Sequence, residues 1–297
     1  MPVPPDRTTF EELDSRHLGP EVVDRYLRRH GLGARKRYSQ NHLVDGEVLE
    51  DIVTAASPSA ERPILEIGPG IGILTGALLE AGGRVTAIEV DERLAAHLRQ
   101  RFAGALDGEG AGSLRLVQGD VLDTPLPAVV EPPYDLVANL PYHITSPVLH
   151  HVLDAGPRPE RFVLMLQREV AERVAAPPGA MSYLSVFVQY HAHVHVRRIV
   201  PPSSFEPAPD VSSAVLVGET IPRRLAVDAE RQLWRLVQAA FRERRKMLHN
   251  VLPRQLPSVG QERFDAALAR AGVAPDRRPQ TVSVDEWLAI AAALGEF

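Results

Sequence analysis

The chain has 297 residues, 44% hydrophobic and 24% charged, which is ordinary for a globular protein and long enough for one large core with a smaller companion. Its net charge is −5 and it contains no cysteine, so disulfides, thiolate metal sites and thiol redox chemistry are excluded. No apolar run approaches a membrane span, and the start Met1-Pro-Val-Pro-Pro-Asp-Arg7 lacks the basic and apolar parts of a signal peptide, so a soluble cytoplasmic protein is expected.

Residues 1–30 read as an N-terminal extension with a Pro-rich start and a charged helical stretch over 20–30. A basic cluster spans its end and the segment after it: Arg25, Arg28, Arg29, Arg35, Lys36 and Arg37. From Glu47 onward short apolar runs alternate with helical periodicity. Strands are expected at 63–67, 84–90, 114–118, 135–138 and 162–166, then at 194–200 and 213–217 on either side of a Pro-rich loop over 201–209. Alternating β and α units imply an α/β domain whose mostly parallel sheet carries helices on both faces and binds ligands at the carboxyl ends of its strands. Beyond Ile221 the pattern is purely helical, near 230–250, 261–271 and 284–294, which predicts a small C-terminal all-helical domain. The expected organisation is an extension over 1–30, a ligand-binding domain over 31–220 and a helical domain over 221–297.

Glu66-Ile-Gly-Pro-Gly-Ile-Gly72 follows the first of these strands and opens a helix. Its glycines, Gly68, Gly70 and Gly72, permit a tight turn and a close approach of backbone to ligand. A glycine loop alone is a weak signal, so its surroundings decide. Glu66 directly before the glycines would repel a pyrophosphate, but suits a ligand with cationic ammonium and sulfonium groups; a Walker lysine is absent. These two features favour S-adenosylmethionine. Glu89 ends the next strand, where a carboxylate accepts hydrogen bonds from ribose hydroxyls, a feature that nicotinamide enzymes share. Asp120, in Gln118-Gly-Asp-Val121, ends the third strand and is placed to accept from an adenine amine. Any one of these acids could be a helix cap or turn acid; three at successive strand ends argue for a site.

Asn139-Leu-Pro-Tyr142 follows the fourth strand. The lone pair of an exocyclic adenine amine is delocalised into its ring, so that nitrogen attacks a methyl group only when two acceptors hold its hydrogens out of plane. The Asn139 side-chain oxygen and the backbone carbonyl of Leu140 or Pro141 are the candidate acceptors, with Pro141 stiffening the turn. Tyr142 is expected to stack on an unstacked target base. Phe205, in Phe-Glu-Pro-Ala-Pro209, is the candidate for a second aromatic wall, against the alternative of a core phenylalanine that anchors the loop. His191, His193 and His195 alternate and would share one face of a strand, but no carboxylate or cysteine completes a site, so no metal is expected.

Together these residues resemble the ribosomal RNA adenine dimethylase family over roughly residues 35–252. Its members include small-subunit dimethyladenosine transferases (KsgA/RsmA-like) and large-subunit methylases that confer macrolide resistance (Erm-like). The resemblance implies a Rossmann-like class I methyltransferase fold with S-adenosyl-L-methionine as the methyl donor. It places Gln40, Asn41 and Leu43 of the opening motif Arg35-Lys-Arg-Tyr-Ser-Gln-Asn-His-Leu43 in the donor site, with Gly68, Glu89, Val90, Asp120, Val121 and Asn139. Residues 201–213 resemble a late loop that approaches the target base. Departures are Ser39 in place of glycine, His42 in place of phenylalanine, and His143 with Thr145-Ser146 after the tetrapeptide.

Leu140 and the segments 167–173 and 241–248 are similar to the small-subunit type. Segment 241–248 reads as a basic helix whose Arg242, Arg244, Arg245 and Lys246, with Arg35, Lys36 and Arg37, would contact rRNA phosphates. The resemblance therefore implies dimethylation of N6 on two adjacent adenosines in the 3′-terminal hairpin of small-subunit (16S) rRNA, two donor molecules per adenosine, by a monomer acting on a pre-30S particle. An Erm-like 23S rRNA methylase and a non-catalytic RNA-binding assembly factor are the alternatives.

Overall fold

A computed structural model of the chain describes residues 13–33, 41–154 and 156–297. The elements run α1 (Pro20–His30), β1 (His42–Leu43), α2 (Gly46–Ala56), β2 (Ile64–Ile67), α3 (Ile73–Glu80), β3 (Val85–Glu89), α4 (Glu92–Arg101), β4 (Leu114–Gln118), β5 (Asp135–Asn139), α5 (Thr145–Asp154) and β6 (Arg161–Gln167). They continue with α6 (Arg168–Val174), α7 (Tyr183–His191), β7 (Ala192–Val200), β8 (Phe205–Glu206), β9 (Ser213–Thr220), α8 (Val227–Phe241), α9 (Leu248–Gln255), α10 (Gln261–Arg270) and α11 (Val284–Leu294). The chain divides into two compact units. One runs to Ala171 and resumes over His195–Thr220; the other comprises Glu172–Val194 and Ile221–Phe297.

The first unit holds a seven-stranded sheet in the order β4-β3-β2-β5-β6-β9-β7. β4, β3, β2, β5 and β6 pair parallel with their neighbours, and β9 runs antiparallel to β6. The architecture is that of a Rossmann-like class I methyltransferase. β2 and β3 are buried at every residue, as strands covered on both faces must be, and are apolar apart from Glu66, Thr86 and Glu89. From β2 the chain first builds outward through β3 and β4, then returns to lay β5 and β6 on the other side. The strand order therefore reverses between β2 and β5, and a crevice opens at their carboxyl ends. Glu66 and Asn139 stand there.

Over its described residues the expected N-terminal extension is a packed part of this unit. Leu13, Val23, Tyr26, Leu27 and Leu32 share a core with Ile52, Ile71 and Leu98. Gly31, at φ 64°, ends α1, and its amide and that of Leu32 close the last turn. A second, two-stranded pairing was too short for periodicity to reveal: β1 runs antiparallel to β8, with His42 opposite Glu206 and Leu43 opposite Phe205.

The second unit is helical, built around Leu233, Leu236, Val251, Phe264 and Trp287. The sequence places a single boundary at residue 220; this unit also takes in Glu172–Val194, because Met181, Val186 and Tyr190 of that segment bury themselves in the same core. His191 belongs to it as the last residue of α7, fully buried against Phe187 and Tyr190. The expected three-histidine strand face is thereby corrected: only His193 and His195 lie on β7, where both are exposed. The expected continuous helix over 230–250 is also corrected. α8 stops at Phe241 and α9 starts at Leu248, since Arg242 to Lys246 offer no apolar position to bury.

Candidate active site

One cavity in the first unit collects the carboxyl ends of β2, β3 and β5, the turn after β4, and the β1–β8 pair. Asn41, Leu43, Glu66, Gly68, Gly70, Glu89, Val90, Asp120, Val121, Asn139, Leu140, Pro141, Tyr142 and Phe205 all line it. Gly72 does not. Its role is packing: with φ at 84° it caps α3, and a Cβ there would come within 2.6 Å of the Phe102 ring. Gln40, like Arg35, Lys36 and Arg37, lies outside the described residues.

The opening motif reaches the cavity through the late loop. Val44 donates its amide to the Ser204 carbonyl at 2.8 Å, and the Ser204 hydroxyl donates to Asp45 Oδ2 at 2.8 Å. Asp45 Oδ1 in turn caps α2 by accepting from the amides of Glu47 and Val48. Residues 41–45 and 204–206 are thus sewn together although far apart in sequence.

At the β2 end, Glu66 is completely buried, and neither carboxylate oxygen has a hydrogen-bond partner among the described residues. Burial pushes this carboxyl up to about 8. The Thr75 hydroxyl opposes part of the rise without meeting hydrogen-bond geometry, and the charge of Glu89 adds to it. An unpartnered buried carboxylate is costly, so this wall favours a cationic ligand group. Glu89 is 3% exposed; its Oε2 accepts from the Gly70 amide at 3.1 Å and its Oε1 from the Asp91 amide at 2.8 Å. Burial raises its pKa, against these amide bonds. Each oxygen retains a second acceptor site. Asp120 is exposed beyond β4, with Oδ1 accepting from the Leu122 amide at 2.9 Å, so it serves its own turn and still presents an oxygen. Val90, 46% exposed, is an apolar surface beside these acids.

At the β5 end, the Asn139 amide nitrogen donates to the Asn41 carbonyl at 3.4 Å. This bond commits the donor end of the side chain to the protein and leaves its oxygen as the end for a substrate. The Pro141 carbonyl accepts from the Ile144 amide at 3.1 Å, which makes the Leu140 carbonyl the better second acceptor of the two considered. Tyr142 is half-buried, and its hydroxyl shares a 2.9 Å hydrogen bond with Ser213 Oγ. Burial raises its pKa, opposed by that bond, so the phenol keeps its proton. Phe205 stands in the cavity wall rather than projecting over its mouth. It is 3% exposed because its strand partner Leu43 draws it into the core.

Sequence reasoning did not assign His42, His143, Met165 or Ser213 to the site. His42, His143 and Met165 line the cavity, and Ser213 holds Tyr142. His42 is 7% exposed beside Gly70, and burial holds it down to about 4. Among the described residues no group of three His, Cys, Asp or Glu side chains could hold a metal ion, and no helix is long and apolar enough to cross a membrane.

The sequence pattern of the family described as "Ribosomal RNA adenine dimethylase" matches residues 31–296. The chain belongs to the ribosomal RNA adenine dimethylase family. Two relatives named "Ribosomal RNA small subunit methyltransferase A" give the scale of the likeness within it. One from Anaeromyxobacter dehalogenans is 42% identical over 92% of this chain and all of its own length. Another from Geobacter sulfurreducens is 40% identical over 90% of this chain and 98% of its own. Among solved structures, the 23S rRNA methyltransferase ErmE superposes with a TM-score of 0.68 at 28% identity, over 86% of this chain and 99% of that one. A dimethyladenosine transferase from Plasmodium falciparum gives 0.69 at 25% identity, over 84% and 95%. The family match covers both compact units and begins after α1.

Proposed function

We propose that this family member transfers methyl groups from S-adenosylmethionine to N6 of two adjacent adenosines in the 3′-terminal hairpin of small-subunit rRNA, and so contributes to ribosome biogenesis. The observation that carries the reading is the Asn139 amide, anchored through its nitrogen to Asn41 in a cavity whose far wall holds the unpartnered Glu66 carboxyl. S-adenosylmethionine supplies a methyl group on a cationic sulfonium. Glu66 fits its ammonium, Glu89 its ribose hydroxyls, and Asp120 with Val90 and Val121 its adenine. Asn139 Oδ1 and the Leu140 carbonyl accept the two N6 hydrogens of the target, which draws the nitrogen toward tetrahedral geometry and frees its lone pair. Tyr142 stacks on the extruded base, where its π face favours the charge that passes over it. The helical unit presents Arg244, Arg245 and Lys246 to rRNA phosphates, with a pre-30S particle in the cytoplasm as substrate and the enzyme a monomer.

The small-subunit target is favoured over a large-subunit one because likeness to the relatives named for the small subunit, at 40–42% identity, exceeds the 28% to ErmE. Labelled donor supplied with unmethylated small subunits, large subunits and naked RNA, followed by mapping of the modified nucleotide, tests both. Methylation of large subunits, or macrolide resistance in a sensitive host, would overturn the choice. Asn139→Ala should abolish transfer while donor affinity stays within a few fold. Equal loss of both would refute its role as the amine acceptor and leave it a donor-binding residue.

A further inference from the structure

The loop 68–72 carries three glycines in the left-handed region: Gly68 at φ 68°, Gly70 at 62° and Gly72 at 84°. Such a run has little stiffness of its own, so its shape depends on what grips it. On the cavity side the grip is Glu89, through the Gly70 amide. On the opposite side it is Arg101, whose Nη1 donates to the Ile71 carbonyl at 2.5 Å. Arg101 is 7% exposed and does not line the cavity. Its guanidinium lies 4.9 Å from the centre of the Phe102 ring, the same ring on which Gly72 rests.

The guanidinium also lies 5.6 Å from the ring centre of Tyr26, on α1. The Tyr26 hydroxyl bonds to His97 Nε2 at 2.8 Å, one helical turn before Arg101 on α4. His30, also on α1, packs 4.4 Å from Tyr26 and 5.0 Å from His97, ring centre to ring centre. Burial, helped by the charges of His30 and Arg101, holds His97 down to about 4, so its ring is neutral where the protein works. A continuous series of contacts therefore runs from α1 through Arg101 and Ile71 to the Gly70 amide and the Glu89 carboxylate. α1 precedes residue 31, where the family match begins.

We propose that Arg101 is a positioning residue for the methyl-donor loop, braced from outside by Tyr26 of α1. The inference rests on the assignment of the cavity to S-adenosylmethionine. By fixing Ile71 it sets where Gly70 points, and through Gly70 the orientation of the carboxylate that would meet the ribose. A lysine could keep the charge and one donor, but lacks the flat face that the two rings enclose.

The test uses the full chain. Calorimetric titration with S-adenosylmethionine is combined with hydrogen exchange for wild type, Arg101→Leu, Arg101→Lys and Tyr26→Phe. Arg101→Leu should weaken binding at least tenfold and speed exchange at 68–72 while β4 exchanges as in wild type; Arg101→Lys should recover part of the affinity, and Tyr26→Phe should lose about threefold. Wild-type affinity and unchanged loop exchange in Arg101→Leu would overturn the inference. So would a uniform rise of exchange across β2, β3 and β4, which marks a merely structural residue. If Arg101→Leu does not fold, wild-type affinity in both conservative variants overturns it. If the wild type itself fails to bind, the proposed function falls, and loop exchange in the variants still decides the brace.

Discussion

Glu66 shows how one residue ties stability, protonation and binding together. Burial raises its pKa from 4.5 to about 8, so between those values the folded chain retains a proton that the unfolded chain has lost. Stability therefore falls as pH rises through this window, because the unfolded chain ionises there while the folded carboxyl is held neutral, and the loss levels off above about 8. A cationic ligand group reverses the preference, because it stabilises the ionised form. Binding of S-adenosylmethionine from about pH 6 to 7, below the roughly 7.7–8.0 of an α-amino group, should release close to one proton and tighten by up to about tenfold per pH unit. Calorimetry in two buffers of different ionisation enthalpy counts the protons. Glu66→Gln should remove the release and flatten the profile; an unchanged profile would show that Glu66 does not face the ligand charge. Glu66 and Asn139 were legible in the sequence because an acid or amide at a strand end is a local pattern with a topological meaning. His42 and Ser213 were not, since their places depend on pairing with residues about 160 and 70 positions away. Phe205 was half legible: its loop pointed to the cavity, but its burial is set by Leu43.

Among elements, strands came through where periodicity had room to act. The runs over 63–67, 114–118 and 135–138 correspond within a residue or so to β2, β4 and β5. The pair β1 and β8 has two residues each and offers no period, and the break between α8 and α9 is a lapse of apolar spacing that a run of good helix formers conceals. The antiparallel junction of β6 and β9 carries a detail beyond periodicity. Phe162 lies opposite Gly218, and a Cβ on that glycine would overlap the phenylalanine ring. The glycine is required by packing rather than by backbone conformation. Gly218→Ala should therefore destabilise the sheet by about 1–3 kcal/mol through overpacking, read as a lower thermal midpoint. Gly33→Ala, where a Cβ meets nothing within 4 Å, serves as the control and should leave the midpoint nearly unchanged. Equal midpoints for the two variants would show that Phe162 can move aside.

For the whole molecule, the net charge of −5 is a poor guide to its partner, because charge acts within a Debye length and not as a total. The acids that bias the sum include Glu66 and Glu89, buried where an RNA phosphate would not feel them through solvent. The cations that matter are local. Arg244, Arg245 and Lys246 are exposed in the turn between α8 and α9, whereas Arg242 donates to Gln255 Oε1 at 3.1 Å. Because no apolar residue interrupts the three, the helix breaks there and the turn presents them together. If they contact phosphates, each releases condensed counterions, at about 0.7–0.9 per contact in the slope of log affinity against log salt. Replacing all three by glutamine should lower the slope for rRNA binding by about 2–3 and weaken affinity at low salt most. Donor affinity should not change, since every residue of the cavity belongs to the sheet unit. An unaltered slope would place the phosphate contacts elsewhere on the chain, and an altered donor affinity would mean that the turn acts on the cavity and not on RNA.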